Sequence, residues 1–199
     1  MKKTILSSMM AAGALAFATT ASAAPVGLRS LSSGGNGVRV TATTIDWVPL
    51  GGPTGNMITD FNTDVTYSGG HLTGGTPGTI NDLPPVPSAN FMTFIGHPGL
   101  SFDLLGIGPG SDTDCGDGTG ITGGSCSFAG SPFILTYIDD NSTGVALGAF
   151  GTATDANGVS TWDGSFTTQV QLSIVQIYNA IYGPSGPGYV NSGYSGEFD

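Results

Sequence analysis

Lysine is nearly absent from this 199-residue chain. Four lysines and arginines stand against fourteen acidic residues, and both lysines, Lys2 and Lys3, lie at the N-terminus. Glu197 is the single glutamate, so almost all of the acid is aspartate. Glu and Lys populate helix surfaces, whereas Asp favours turns and caps, so this inventory argues against a helical protein. A net charge of −10 would repel nucleic acid and anionic membrane surfaces. There are only two histidines, His71 and His97, each in a Gly/Pro turn, and they lack a third ligand at zinc spacing. No Gly-x-Ser-x-Gly elbow occurs, which leaves no local signature for a serine hydrolase. Beyond the N-terminal segment, no run is long and apolar enough to cross a bilayer.

That N-terminal segment has the form of an export signal. Lys2 and Lys3 supply a positive start, ILSSMMAAGALAFA an apolar middle, and Ala21-Ser22-Ala23 a small-x-small cleavage site. The pattern predicts a bacterial-style signal peptide over 1–23, cut between Ala23 and Ala24, and a secreted product with no membrane span in its mature chain. Residues 24–37 are small, polar and Gly-rich and read as a flexible leader. The remaining 38–199 fit one domain with a sizeable core.

Alternating apolar residues recur along that domain. GVRVTATTIDW and MITDFNTDVTY each read as a strand, and the stretch from Tyr67 to Asn90 as a long loop stiffened by PPVP. NFMTFIG and LSFDLLGIG flank a His-Pro-Gly turn. SPFILTYID is apolar on both faces and reads as a central strand. VALGAFGTATD and VSTWDGSFTT are joined at Asn157-Gly158, a hairpin signal. TTQVQLSIVQIY reads as a strand with Val170, Leu172 and Ile174 inward, and GYSGEF as a short last one. No segment outside the signal shows sustained helical periodicity. The expected fold is an all-β, antiparallel β-sandwich or jelly roll.

The densest chemistry lies between Asp112 and Cys126, in DTDCGDGTGITGGSC. Cys115 and Cys126 are the only cysteines, and an exported chain with two cysteines most simply forms one disulfide. Closing a loop of this size stabilises a fold by about 3 kcal/mol in the chain-entropy model. Asp112, Asp114 and Asp117-Gly118 partly match a calcium loop, which wants carboxylates at alternate positions and a glycine at the sharp turn. The third aspartate falls one position late and no bidentate glutamate follows, so an acidic, solvated hairpin tip is the competing reading. Asp103, Asp139, Asp140, Asp155 and Asp163 are the acids open to a glycosidase-type pair, with no spacing that selects two of them. Trp47 and Trp162, with the tyrosines at 178, 182, 189 and 194, are candidates for stacking on sugar rings. Filling the core is the alternative for each.

The order LSFDLLGIG, CGDGTGITGGSCSF, SPFILT and GVALGAFGTATDANGVSTWDGSFTTQ, ahead of YSGEF, resembles the body of bacterial PEP-CTERM-type exported proteins. The likeness covers about Leu100 to Gln169, the signal and the last residues. The family's sorting tag, a VPEP-type motif with a hydrophobic stretch and a basic end, does not occur in the sequence. The resemblance implies an exported surface or matrix protein of β-sandwich type and no particular reaction. The sequence therefore predicts a secreted, non-enzymatic β-sandwich of the extracellular matrix or cell surface. Its expected partners are a polysaccharide or further copies of itself, not nucleic acid, and it needs no cofactor unless calcium binds. A carbohydrate-binding module or calcium-dependent adhesin is the second expectation, and an Asp/His hydrolase the third.

Overall fold

The computed structural model describes residues 28–32, 37–47, 54–59, 63–83 and 86–198. The expected signal segment and its Ala23–Ala24 junction lie outside the described residues. In chain order come β1 (Leu28–Ser32), β2 (Val38–Val40), β3 (Ile45–Asp46), β4 (Thr54–Thr59), β5 (Asp64–Tyr67) and β6 (Gly70–Thr73). Then follow β7 (Pro77–Asn81), β8 (Ser88–Phe94), β9 (Ser101–Ile107), β10 (Ser125–Cys126) and β11 (Ile134–Asp139). A long hairpin, β12 (Ser142–Asp155) and β13 (Gly158–Val170), precedes the helix α1 (Ile174–Tyr182), and β14 (Val190–Ser192) and β15 (Ser195–Phe198) complete the domain.

The main sheet closes on itself. Its order runs β10-β11-β12-β13-β15-β1-β4-β7-β8-β9, and β9 returns to pair with β12. β12 is long enough to serve two partners along one edge. Its first part pairs with β11, and its second part, from Ala149 to Thr154, pairs with β9. Eight strands thus form a closed circuit: β1, β4, β7, β8, β9, β12, β13 and β15. Every ladder in it is antiparallel. Each strand neighbours the next of these eight along the chain. Within an all-β, sandwich-like single domain, the path is therefore an up-and-down meander rather than the Greek-key path of a jelly roll. Closure leaves the circuit without an open edge.

An eight-stranded circuit encloses just enough room for side chains to fill. Ile80, Met92, Phe102 and Ala153 lie side by side across four successive strands, and all are buried. Aromatic rings bridge the interior: Phe91 of β8 meets Phe166 of β13 at 6.2 Å, and Phe102 of β9 meets Trp162 of β13 at 6.4 Å. Small residues make room for large ones. Gly151 sits between Leu104 and Trp162, where a Cβ would run into the Asp103 carbonyl oxygen and the indole. A second apolar cluster lies outside the circuit. There Ile174 and Ile177 of α1 pack with Val170, Leu135, Phe128 and the Cys115–Cys126 pair.

Several expected elements differ in detail. Residues 38–47 form a hairpin, not one strand, because the Thr41 hydroxyl accepts from the Thr43 and Thr44 amides and turns the chain. Met57 to Tyr67 is divided between β4 and β5. Much of the expected loop after Tyr67 is strand: β5 and β6 form a hairpin, and β7 starts at Pro77, a strand-initial position that proline tolerates. The tight turn before β13 is Ala156-Asn157, one residue earlier than Asn157-Gly158, with Asp155 opposite Gly158. β11 is next to last in its sheet, and Ile138 is exposed. The expected strand through Ile174 ends at Val170 and gives way to α1. Leu28–Ser32, within the expected flexible leader, is β1, which completes the circuit between β15 and β4.

Candidate functional site

The disulfide loop is built onto α1. Cys115 and Cys126 are bonded, with their Cα atoms 5.1 Å apart, and both are buried. The Cys115 amide donates to the Ser127 carbonyl at 2.9 Å, and the Ser127 amide donates to the Thr113 carbonyl at 2.9 Å, so the two ends of the loop run side by side. Gly118 takes a left-handed φ of +82° and presses against the first turn of the helix. A Cβ placed there would lie 2.7 Å from the Val175 amide nitrogen. The helix itself begins with a capping box. The Ser173 hydroxyl accepts from the Gln176 amide, and the Gln176 side chain accepts from the Ser173 amide at 2.8 Å.

The aspartates of this loop serve their own turns. Asp114 accepts from the Gly116 amide at 2.9 Å. Asp117 accepts from the Thr119 hydroxyl at 2.6 Å and its amide at 2.9 Å. The Thr119 hydroxyl, with that amide, holds the Asp117 carboxyl below the usual range. Asp112, Asp114 and Asp117 are all exposed. Among the described residues, no three His, Cys, Asp or Glu side chains are grouped to hold a metal ion. The calcium set that the spacing suggested is not drawn together here.

Other acids and both histidines also hold local structure. Asp155 accepts from the Asn157 and Gly158 amides of its own turn and from the Ser68 amide at 2.7 Å, which ties the β5–β6 hairpin to the β12–β13 turn. Asp103 accepts from the Asn90 amide at 2.6 Å, Asp139 from Asn141 at 2.8 Å, and Asp140 from the Tyr137 hydroxyl at 2.9 Å. Asp163 is exposed on β13, opposite Phe150. Asp82 accepts from the Trp47 amide at 2.9 Å, and burial pushes its carboxyl up. His71 pairs with Asp64 across β5 and β6, and His97 shares a 2.7 Å hydrogen bond with the Tyr67 hydroxyl. Of the five aspartates weighed for hydrolysis, Asp139 and Asp140 are neighbours at the β11–β12 turn, and Asp103, Asp155 and Asp163 stand on β9, β12 and β13.

Trp47 and Trp162 are core residues, each 2% exposed. Trp47 packs on Phe91 and Phe166, and Trp162 on Phe102 and Phe198. Neither presents a face to a sugar, which corrects the expectation for both. The inward turn of each ring follows from the closed interior, whose volume needs large side chains.

Exposed aromatics among the described residues are Phe150 on β12 and Tyr182 on α1, and Tyr182 stands beside half-buried Tyr178. Tyr178 and Tyr182 are one helical turn apart, with ring centroids 5.1 Å apart, and both rest edge-on against buried Phe128. Burial and the neighbouring Tyr178 raise the Tyr182 hydroxyl above its ordinary value. At the end of the same helix, Asn179, Ala180 and the loop Gly183 to Gly186 line a surface hollow of about 370 Å³. Two hollows elsewhere are far smaller, at about 40 and 30 Å³, and are walled mostly by apolar side chains. The i, i+4 spacing of the two tyrosines was the available signal for this pair, hidden because the segment resembled a strand. Outside the sheet, Asn56, Thr79, Thr93, Ser101 and Thr154 form one row across five strands. In that row the Thr79 and Thr93 hydroxyls bond at 2.8 Å.

No helix among the described residues is long and apolar enough to cross a membrane. No family model, curated protein or solved structure matches the chain.

Proposed function

We propose that the chain is a secreted, non-enzymatic β-sandwich protein of the extracellular matrix or cell surface, of the kind its resemblance to PEP-CTERM-type bodies implies. The observation that carries this reading is the use of its polar groups. Carboxylates and both histidines hold turns and hairpins together, around a circuit whose interior is filled by aromatic side chains. The disulfide fits an oxidising, exported setting. The expected result is recovery of the chain outside the cell when it is expressed with its own N-terminus, and no turnover on glycan, ester and peptide panels. Reproducible hydrolysis abolished by a single substitution would overturn it.

A second reading, carbohydrate binding, is favoured by the tyrosine pair on α1. Tyr182 is 43% exposed and combines a flat apolar face with a polar tip. The hollow at the end of α1 is lined in part by Asn179 and Ser185, residue types that suit a neutral, hydroxyl-rich ligand. Glycan-array binding lost in Tyr182→Ala, with the fold intact, supports this reading. A binding profile identical to wild type removes it.

A further inference from the structure

We infer that Asn141 is the acceptor of an N-linked glycan, attached before the chain folds and then carried at the tip of the β11–β12 hairpin. The inference rests on the export proposed above and adds a covalent modification to it.

Three observations converge. First, Asn141-Ser142-Thr143 is the only Asn-x-Ser/Thr triplet in the sequence, and this is the pattern that marks a glycan acceptor in an exported chain. Second, the triplet begins where a glycan has room. Asn141 is exposed in the turn between β11 and β12, and a bulky, solubilising group belongs on such a surface turn. Third, Asn141 carries the unengaged side chain of its turn. Asp139 accepts from the Asn141 backbone amide at 2.8 Å, and Asp140 accepts from the Tyr137 hydroxyl at 2.9 Å. The Asn141 side-chain amide makes no hydrogen bond among the described residues.

The rest of the triplet sets the order of events. Ser142 and Thr143 are 2% and 0% exposed, and the Thr143 hydroxyl donates to the Leu172 carbonyl at 2.8 Å. An oligosaccharyltransferase reads the triplet through that hydroxyl, so the folded protein is closed to it. Transfer therefore precedes the seating of β12 beside β13. The Asn141 side-chain nitrogen attacks the anomeric carbon of an oligosaccharide linked to a polyprenyl diphosphate. A C–N bond forms as the anomeric C–O bond breaks. The nitrogen gives up one proton, and the polyprenyl diphosphate leaves with the electron pair. Folding then buries Thr143 and leaves the glycan in solvent.

Peptide mapping of the full chain, recovered from the medium of the cells that encode it, provides the test. No lysine or arginine follows Arg39, so chymotrypsin replaces trypsin. Cuts after Tyr137 and Leu147 isolate residues 138–147, with Asn141 as their one asparagine. That peptide should carry the added mass of a glycan. The mass should be lost in Asn141→Gln and kept in Thr143→Ser, which retains the hydroxyl. Wild-type chain secreted by a host without a transferase, then mixed folded with a transferase and its polyprenyl-diphosphate donor, should accept no glycan. An exported chain that is bare at Asn141 overturns the inference and leaves the export reading standing. A chain that never leaves the cell removes both. Folded chain that accepts the glycan as fully as chain in transit overturns the placing of transfer before folding.

Discussion

Trp162 lies between Phe102 and Phe198, and its fit shows how closely one side chain is specified here. Gly151 opposite it and Gly164 two residues on leave the space that the indole and the Phe198 ring occupy. Trp162→Ala is expected to cost about 3–5 kcal/mol, the usual range for emptying a large aromatic site. Trp162→Phe should cost clearly less. The indole N–H has no hydrogen-bond partner among the described residues, so phenylalanine loses volume but no polar contact. Urea unfolding of both variants measures the difference, and equal midpoints would place the ring outside the core. Asp155 permits a second prediction at this scale. The Ser68 amide is the main cause of its lowered carboxyl value, with the Asn157 amide adding to it. A depressed folded value stabilises the fold above the unfolded value of an aspartate and is lost as pH falls through the folded value. Acidification through that window should therefore loosen the β5–β6 hairpin from the β12–β13 turn. Asp155→Asn should remove that pH dependence. Hydrogen exchange of the Ser68 amide against pH reads it directly, and identical profiles in both proteins would count against the contact.

At the scale of elements, α1 rests on two supports, its own capping box and the disulfide loop. Gly118→Ala strains a left-handed backbone and drives a methyl into the helix backbone at Val175. The expected cost is about 1–2 kcal/mol. Gly123→Ala, where a Cβ meets nothing within 4 Å, should be close to neutral. Faster hydrogen exchange across Ile174–Tyr182 in the first variant alone would show that the loop holds the helix. The same element shows what could be read in advance. The strands with clean alternation, Ser101–Ile107 and the β12–β13 hairpin, were legible because one face must be buried and the other not. α1 was not, because Val170, Leu172 and Ile174 satisfy a period of two while Val170, Ile174, Ile177 and Ile181 satisfy a helical one. The deciding signal was local, Ser173 followed by Gln176 at capping-box spacing. Short hairpins such as β2–β3 and β5–β6 were missed because side-chain hydroxyls and glycines set their turns, and apolar periodicity carries no record of these. The disulfide needed only two cysteines and the export expected from the N-terminal pattern, whereas the role of its aspartates required the turns themselves.

For the whole molecule, the staple and the circuit act on different parts of the fold. The circuit buries one apolar cluster, and the loop, α1 and the neighbouring parts of β11 and β13 bury the second. Val145 belongs to the fringe of both, so the two cores adjoin and should unfold together. Reduction of Cys115–Cys126 frees the loop in the unfolded chain and loosens the second core. It should lower stability by about 3 kcal/mol, as expected for a loop of this size. Calcium should behave differently. The Asp114 and Asp117 carboxylates already accept hydrogen bonds within their own turns, and no third acid joins them in a metal-holding group among the described residues. Ligand that binds only the native state raises its midpoint, so calcium and EDTA should give the same midpoint. Thermal unfolding in four conditions, with calcium or EDTA and with or without reductant, separates these outcomes. A drop on reduction alone assigns the stretch from Asp112 to Cys126 to fastening α1 onto the sheet. A rise with calcium that disappears in Asp114→Asn or Asp117→Asn would instead mean that the loop rearranges around the ion, and the turn-capping role drawn from its hydrogen bonds would fail.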